Sequence, residues 1–329
     1  MAEYQRELEV ARATVIEAAE RCRQVQASLV GGLEKEDRSP VTVADFASQA
    51  VAAVRLKQAF PDDPLVAEER SQALRRPAAA GTQQQVVEIV RQLHPSATED
   101  QVARWIDLGA GVPGRRFWTL DPIDGTAGFL RGDQWVVALA LIEEGAVVLA
   151  ALACPRLNAE LQPTDEAPGC LLLAVRGQGA WLEAEGVRRP LQVSDCSQPQ
   201  DGRVMGSFEA SHTDPATMDR LRGHLGSQKP LIKMDSQAKF AMVAGGRAEM
   251  IFRLLSPARP GYREKIWDQA AGTLIVEQAG GRVTDLTGAP LDFSAGVTLA
   301  RNRGVVVSNG KLHEAALAAV RAEAADQTP

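Results

Sequence analysis

The sequence predicts a mixed α/β fold, built either as one large domain or as two. The chain has 329 residues, and about 150 residues is a typical domain length. Hydrophobic residues make up 45% of the chain, which suffices for a large buried core. Strand-like segments fill the middle of the chain, and strands alternate with helices after residue 202. We therefore expect an α+β domain over residues 1–200 and an α/β domain over residues 201–329.

The first hundred residues are predicted to be mainly helical. Apolar residues recur at or near helical spacing from Leu8 to Val25, which predicts an amphipathic helix over residues 4–30. Residues 39–42 look like an extended lead-in to a second helix over residues 43–60, before a short strand at 65–67. Two more helices are expected, one near residues 83–93 and one that opens at Thr98 with capping-box spacing to Gln101.

The middle of the chain is predicted to form a sheet. Residues 117–120 are a strand candidate, and the apolar runs 135–142 and 146–154 flank Glu143-Glu144-Gly145, which is a hairpin signature. Further strands are expected at residues 171–175 and 177–181, and a strand at 190–193 is expected to close the sheet. The polar, turn-rich segment that follows suggests a domain boundary near residues 195–202.

In the remaining third of the chain, predicted strands alternate with predicted helices, which favours an α/β second domain. The predicted strands are 203–208, 231–235, 250–254, 283–284 and 305–308, and the predicted helices are 215–225, one from 237, 268–280 and 311–324.

Composition excludes several classes of function. The net charge of -6 argues against an electrostatic nucleic-acid binder, which should carry a basic surplus. The longest apolar runs are less than half of the ~20 residues that cross a bilayer, so we expect no membrane span. The four cysteines lie far apart and are expected to be buried, reduced thiols of a cytoplasmic protein. The four histidines form no pair at metal-ligand spacing, so any metal should have oxygen ligands, which points to Mg²⁺ rather than zinc.

The most informative segment is Leu120-Asp121-Pro122-Ile123-Asp124-Gly125-Thr126, because its acids follow a predicted strand directly. Asp121 and Asp124 are three residues apart around a turn, close enough to share or bridge metal ions. Pro122 restricts the turn, which can aim the Ile123 carbonyl inward. Gly125 and Thr126 can open a helix whose free N–H groups hold a phosphate oxygen. Taken alone, Asp-Pro and Asp-Gly also fit an ordinary surface turn.

Other acids make the surface turn a poorer explanation. Glu68 and Glu69 end a separate short apolar run, and Asp268 stands at a third predicted junction between a strand and a helix. Several acids at the ends of separate elements fit a Mg²⁺ cage made of oxygen ligands better than chance.

The motif Asp121-Pro-Ile-Asp-Gly-Thr126, with Trp267-Asp268 and Glu68-Glu69, resembles the inositol monophosphatase superfamily of Mg²⁺-dependent, lithium-sensitive phosphatases. This resemblance implies a layered αβαβα sandwich of the inositol monophosphatase or sugar phosphatase type. Within the superfamily, four longer segments are similar to the 3'(2'),5'-bisphosphate nucleotidase branch. These segments are Ser39-Pro-Val-Thr-Val-Ala-Asp45-Phe, Gly128-Phe-Leu-Arg-Gly-Asp-Gln134, Asp235-Ser-Gln-Ala-Lys239 and Gly261-Tyr-Arg-Glu-Lys-Ile-Trp-Asp268.

The resemblance implies a role for each matched residue. The metal ligands would be Glu68, Asp121, Asp124 and Asp268 with the Ile123 carbonyl, and they would hold two or three Mg²⁺ ions that Li⁺ or Ca²⁺ disturbs. Asp45 and Thr126 would orient and deprotonate the attacking water, and Glu69 would stand behind the ligands. Chemically, Thr126 is a poor base and can relay a proton only if Asp45 accepts it.

Substrate contacts are implied mainly in the second half of the chain. Lys239 and Arg253 would hold the 5'-phosphate that is not cleaved, His212 would lie near the adenine or ribose, and Ser236 would form a hydrogen bond. The Arg253 match is less secure, since the segment 254–260 is slightly longer than usual. Two positions depart from many relatives, Ala127 in place of Lys and Gln269 in place of His, and we expect them to alter affinity or specificity.

The predicted function is that of a phosphoric monoester hydrolase, a 3'(2'),5'-bisphosphate nucleotidase. It would convert adenosine 3',5'-bisphosphate to AMP and phosphate, and also accept 3'-phosphoadenylyl sulfate, a role in sulfate assimilation. The alternatives are an inositol mono- or polyphosphate phosphatase and a catalytically silent nucleotide sensor. The expected partner is the small-molecule nucleotide alone, with no nucleic acid and no membrane, and the chain is expected to be a monomer or a dimer.

Overall fold

The structure is a computed structural model that describes residues 3–29, 39–76, 79–166, 168–208, 214–255, 259 and 261–326. In this part of the chain, helices and two mixed sheets stack in five layers, α-β-α-β-α, which confirms the predicted fold class.

Two long helices form the first layer. Helix α1 (Gln5–Leu29) and helix α2 (Ser39–Ala59) pack against each other and against one face of the first sheet. Both helices were predicted, but the extended lead-in at residues 39–42 is wrong, because α2 already begins at Ser39. A proline in the first helical turn loses no hydrogen bond, so Pro40 is compatible with the earlier start.

Helices α3 (Ala80–Arg91) and α4 (Glu99–Asp107) pack beside α2. The predicted capping box is confirmed. Thr98 accepts a hydrogen bond from the Gln101 N–H, and the Gln101 side chain accepts one from the Thr98 N–H. Two otherwise unpaired N–H groups of the first turn are thereby satisfied.

The first sheet has seven strands in sequential order, β1 to β7. Strands β1 and β2 pair in parallel, and all the other neighbours are antiparallel. The predicted hairpin is confirmed as β3 and β4. The last strand ends at Pro190 instead of beginning there, and β2 runs through the acidic motif instead of ending before it. The strands are β1 (Leu65–Ala67), β2 (Arg116–Asp124), β3 (Val136–Glu143), β4 (Ala146–Cys154), β5 (Cys170–Val175), β6 (Gly179–Ala184) and β7 (Val187–Pro190).

The third layer consists of helix α7 (Ala238–Ala244) and helix α8 (Ala270–Gln278). Helix α8 contacts β3 to β6 on one side and the second sheet on the other. Every residue of α7 is buried, as expected for a helix between two sheets. Short helix α5 (Thr126–Arg131) follows β2 and contacts α2.

The second sheet has five strands in the order β11-β12-β10-β8-β9. Its parallel pairs are β8 with β9 and β8 with β10, whereas β12 runs antiparallel to β10 and β11. Helices α6 and α9 cover its outer face. These elements are β8 (Val204–Gly206), α6 (Pro215–His224), β9 (Ile232–Lys233), β10 (Met250–Arg253), β11 (Arg282–Thr284), β12 (Val305–Ser308) and α9 (His313–Asp326).

The predicted boundary near residues 195–202 lies between the two sheets, but one cluster of buried side chains joins the sheets through α7 and α8. The division into two domains stays a prediction. Among the cysteines, Cys22, Cys154 and Cys170 are free and buried as expected, whereas Cys196 is free but half-buried. In the described residues, no helix is long and apolar enough to cross a membrane.

Candidate active site

A cavity of about 360 Å³ opens where the end of β2, the start of α7, strand β10 and the turn before α8 converge. Most of the acids that the sequence singles out meet here. The residues with polar side chains or polar main-chain groups that line it are Glu68, Asp121, Ile123, Asp124, Gly125, Thr126, Asp235, Ser236, Gln237, Lys239, Arg253, Tyr262, Asp268 and Gln269.

The acidic motif forms an irregular strand end. The register between β2 and β3 shifts between Asp121 and Asp124, so the residues between them form no regular ladder pair. The Asp121 carboxylate accepts a hydrogen bond from the Ile123 N–H at 3.1 Å, and the Thr126 hydroxyl donates to the Ile123 carbonyl at 3.5 Å. The motif is therefore not the exposed turn that its dipeptides also fit. Bulges of this kind re-aim side chains at sheet ends.

Gly125 joins β2 to α5 with a φ of 93°, a conformation that favours glycine. A β-carbon at this position would lie 2.8 Å from the Cβ of Ser236, so the motif contacts the start of α7 directly. Ser236 itself has a φ of 64°, which is rare for a residue with a side chain. Such strained residues cluster at functional sites, where surrounding structure holds them in place.

The cavity acids repel one another. Burial, together with the charges of Glu68, Asp124 and Asp268, raises the pKa of Asp121 well above its usual value. Burial and the charges of Glu69 and Asp124 raise the pKa of Glu68 to about 7. Burial and Asp124 likewise raise the pKa of Asp268. The four predicted carboxyl groups line one cavity and lie close enough together to raise one another's pKa values.

The donor set suits a hard divalent cation. Among the described residues that line the cavity, every candidate ligand is a carboxylate or carbonyl oxygen, which fits Mg²⁺ and not zinc. The cage is not preformed, since no three acidic, histidine or cysteine side chains of the described residues are already arranged around one point. Asp124 accepts a hydrogen bond from the Gln237 N–H at 2.6 Å, so one of the predicted ligands already has a protein donor.

Asp45 and Glu69 lie behind this cavity. Asp45 is buried on α2, and burial with the charges of Glu69 and Glu68 raises its pKa well above its usual value. One turn later on the same helix, the amide of Gln49 accepts from the Glu69 N–H and donates to the Glu69 carbonyl, both at 2.9 Å. Gln49 thereby fixes the end of β1. The sequence carries no signal for this contact, because a glutamine on a helix looks the same whether it is exposed or buried.

Two cations line the same cavity as the acids. The Lys239 ammonium is buried and donates to the Ser207 hydroxyl at 3.2 Å and to the Met234 carbonyl at 3.1 Å. Burial, and then the neighbouring charge of Arg253, lower its pKa to about 8. Burial also opposes the charge of Arg253, but the carboxylates of Glu264 and Asp268 outweigh it and keep the pKa of Arg253 raised. Two adjacent cations in a dry cavity form a site for an anion.

The structure thus brings together all the predicted metal ligands with Gly125, Thr126, Ser236, Lys239 and Arg253. His212 lies outside the described residues. The prediction missed Gln237, which is buried and ties the two halves of the site together. Its amide donates to the Trp267 carbonyl and accepts from the Gly272 N–H, while its N–H binds Asp124.

A family model described as the inositol monophosphatase family matches residues 3–325. The chain belongs to the inositol monophosphatase family. Proteins of this family generally depend on Mg²⁺, in agreement with the oxygen donors of the cavity.

Within the family, the chain is similar to three proteins that carry the same name. The chain is 41% identical over 313 residues to a 3'(2'),5'-bisphosphate nucleotidase of Schizosaccharomyces pombe, covering 90% of this chain and 87% of the relative. It is 39% identical over 350 residues to 3'(2'),5'-bisphosphate nucleotidase 1 of Arabidopsis thaliana, covering 98% of each chain. It is 37% identical over 358 residues to 3'(2'),5'-bisphosphate nucleotidase 1 of Candida albicans, covering 99% of this chain and 98% of the relative.

Solved structures show the same fold at lower sequence identity. SuhB of Mycobacterium tuberculosis superposes with a TM-score of 0.65 at 23% identity, over 98% of each chain. An IMPase of Thermotoga maritima superposes with a TM-score of 0.66 at 20% identity, over 97% of this chain and 98% of the other. The five-layer arrangement is therefore that of the inositol monophosphatase family.

Proposed function

We propose that this protein is a Mg²⁺-dependent 3'(2'),5'-bisphosphate nucleotidase that converts adenosine 3',5'-bisphosphate to AMP and phosphate. The observation that carries this proposal is one cavity lined by four acids together with the buried Lys239 and the half-buried Arg253. A nucleotide with two phosphates has one for the metal ions that the acids would bind and one for the two cations. The names of the relatives, 3'(2'),5'-bisphosphate nucleotidases at 37–41% identity, support the same activity.

We assign the scissile phosphate to the four acids of the cavity. Glu68, Asp121, Asp124 and Asp268 would hold two or three Mg²⁺ ions there, with the Ile123 carbonyl as a further oxygen ligand. Bound Mg²⁺ supplies positive charge against the phosphate oxygens and makes water a better nucleophile at neutral pH. Without such charge, acids whose pKa values are raised by burial and by each other repel a dianionic phosphate.

Asp45 and Thr126 are assigned to the attacking water. The Thr126 hydroxyl stands at the first position of α5, beside the Ile123 carbonyl, and it orients the water by a hydrogen bond. Asp45 takes up the proton through Thr126, because burial and two neighbouring acids make it a stronger base than an ordinary carboxylate. The water oxygen bonds to phosphorus as the bond from phosphorus to the 3'-oxygen breaks. The 3'-oxygen gains a proton from solvent, and Asp45 returns its proton to solvent, which gives inorganic phosphate and AMP.

The second phosphate is assigned to Lys239 and Arg253. Lys239 offers a compact charge, and the planar guanidinium of Arg253 offers several donors in a fixed geometry. The 5'-phosphate would favour the charged form of Lys239, whose pKa of about 8 reflects burial beside another cation. A substrate that has a single phosphate gains nothing from these two cations. We therefore expect inositol 1-phosphate to be the poorer substrate.

A phosphate-release panel tests this function. The wild-type protein is assayed with adenosine 3',5'-bisphosphate, 3'-phosphoadenylyl sulfate and inositol 1-phosphate, with Mg²⁺, with EDTA, and with added Li⁺ or Ca²⁺. We expect Mg²⁺-dependent release from the first two substrates, inhibition by the added ions, and kcat/KM at least tenfold lower for inositol 1-phosphate. Equal or better turnover of inositol 1-phosphate would overturn the substrate assignment. Tight nucleotide binding by calorimetry without phosphate release would instead identify a sensor.

A further inference from the structure

Gln269 is a residue of the cavity whose chemistry the proposed function leaves unused. It follows Asp268 directly, is 2% exposed and lines the cavity. Its amide nitrogen donates to the Glu264 carboxylate at 3.0 Å. Among the residues that the structure describes, its carbonyl oxygen has no hydrogen-bond partner, although it is fully buried. A buried acceptor without a donor is costly, and its presence at a binding site indicates a donor on the ligand.

The orientation of this amide is fixed by chemistry. An ionised carboxylate only accepts hydrogen bonds, so the NH₂ group of Gln269 and not its oxygen must face Glu264. Glu264 is buried and is held in turn by Arg253, whose Nε lies 2.8 Å from the same carboxylate oxygen. The hydrogen bonds that link Arg253, Glu264 and Gln269 therefore fix this amide at the wall of the cavity, next to the acid that we assign to the scissile phosphate.

We infer that Gln269 is a specificity-determining residue that accepts a hydrogen bond from the ribose 2'-hydroxyl of the substrate. This inference rests on the proposed function. With its phosphates ionised, adenosine 3',5'-bisphosphate has two kinds of donor, the 2'-hydroxyl and the amino group of adenine. The 2'-hydroxyl is on the carbon next to the one that carries the scissile phosphate, and Gln269 is next to Asp268, so the 2'-hydroxyl is the donor that this position favours.

A site built around one hydrogen bond rejects an analogue that lacks the donor. The test therefore compares kcat/KM for adenosine 3',5'-bisphosphate with kcat/KM for 2'-deoxyadenosine 3',5'-bisphosphate. We expect the wild-type protein to favour the ribonucleotide about tenfold, which is the size of one well-placed hydrogen bond to a buried group. In Gln269→Met this preference should fall to about twofold or less. If the substitution also disturbs Arg253, kcat/KM should change equally for both nucleotides, and this change cancels in their ratio.

Two further variants sharpen the comparison. A neutral imidazole both donates and accepts, so Gln269→His should retain most of the preference. Thr273 is one turn further along α8, is buried, and also has a hydroxyl without a partner among the described residues, but it does not line the cavity. Thr273→Val should therefore keep the wild-type ratio, which separates the expected effect from a general loosening of α8.

Three results would overturn the inference. A wild-type protein that uses both nucleotides equally well excludes a contact to the 2'-hydroxyl, whatever the variants do. A Gln269→Met variant that keeps the tenfold preference assigns that preference to another residue. A loss in Gln269→Met that is equal for both nucleotides, with a raised Mg²⁺ requirement, would assign the oxygen to the metal site. Failure of the proposed function looks different, because neither nucleotide would then be hydrolysed.

Discussion

Two buried acidic regions of this molecule are stabilised in opposite ways. Glu249, directly before the central strand β10 of the second sheet, accepts hydrogen bonds from the Arg203 N–H and guanidinium, both at 2.6 Å, and from the Ser194 hydroxyl at 2.7 Å. Burial acts to raise its pKa, but these partners outweigh burial and lower it. Asp121 is equally buried, yet its charged neighbours are other acids, and its pKa is raised.

The difference shows which acids serve the fold and which serve chemistry. A buried carboxylate with a full set of donors is a structural group, and removing it leaves an unpaired arginine behind. Buried carboxylates that face one another destabilise the folded protein until a cation joins them. Variants at the two regions should accordingly have opposite effects on stability and on turnover.

The largest effect is expected for Asp124→Asn. Loss of one ligand charge should lower kcat at least about a hundredfold, roughly 2.7 kcal/mol of transition-state stabilisation. The melting temperature in EDTA should stay the same or rise, because one repulsive charge is gone and the amide oxygen still accepts from Gln237. Phosphate release and thermal melts measure the two effects. A variant that retained more than a tenth of the wild-type kcat would show that Asp124 is not a metal ligand.

Lys239→Ala should have the next largest effect. Loss of a buried cation from the anion site should raise KM for adenosine 3',5'-bisphosphate about tenfold or more, while hydrolysis of a simple monophosphate is spared. Steady-state kinetics on both substrates measures the split. Lys233, an exposed lysine on β9, provides the control, since Lys233→Ala should not change either KM. Equal losses on both substrates would mean that Lys239 does not read the second phosphate.

Glu249→Gln tests the acid that we assign to the stability of the fold. We expect a loss of about 1 to 2 kcal/mol in the free energy of unfolding. This is less than for a fully buried ion pair, since the Arg203 side chain is 35% exposed. Urea denaturation measures this change, and kcat should stay within about twofold of wild type. A large fall in kcat without a fall in stability would remove the distinction between the two regions.

The smallest expected effect is on the pH dependence of metal binding. Glu68 has a pKa of about 7 in the metal-free protein, above its ordinary value of 4.5, so Mg²⁺ must displace a proton below pH 7. The apparent affinity for Mg²⁺ should rise several-fold from pH 6 to pH 7.5 and then level off.

The same sign applies to stability. A raised acid pKa contributes stability that is complete below pH 4.5 and is lost as pH rises through about 7. The metal-free protein should therefore melt at a lower temperature at pH 8 than at pH 5.5. Calorimetry and melts across this range would detect both trends. A Mg²⁺ affinity that is flat from pH 6 to pH 8 would contradict the shared location of Glu68 and its neighbouring acids.

Much of this site was predictable because its residues belong to short motifs with specific chemistry. Asp121 and Asp124 stand three residues apart in a segment that few other functions explain, and Lys239 and Arg253 were matched by position. Helical and strand periodicity likewise predicted most elements, including the Thr98 capping box and the β3–β4 hairpin. Short-range sequence signals suffice for elements whose structure depends on residues that are close together in the chain.

What the sequence did not reveal depends on contacts between distant segments. Gln49 clamps Glu69 from another element, Gln237 ties Asp124 to the turn before α8, and Gln269 is oriented by Glu264. A glutamine looks the same in the sequence whether it is exposed or buried, so tertiary packing alone identifies Gln49 and Gln237. Gln269 was noted in the sequence as a departure from many relatives, but its orientation depends on the same kind of packing. The early start of α2 and the continuation of β2 through the acidic motif were missed because proline and aspartate usually mark breaks.

The central claim is that Glu68, Asp121, Asp124 and Asp268 close around divalent cations, and crystallography with Mn²⁺ tests it most directly. Crystals grown with Mn²⁺ should give anomalous density peaks in the cavity, with carboxylate oxygens of these residues at about 2.0 to 2.3 Å from the ions. At least two of the four acids should contact one ion. Fully bound protein without anomalous density in this cavity, or with Mn²⁺ held by other residues, would contradict the account.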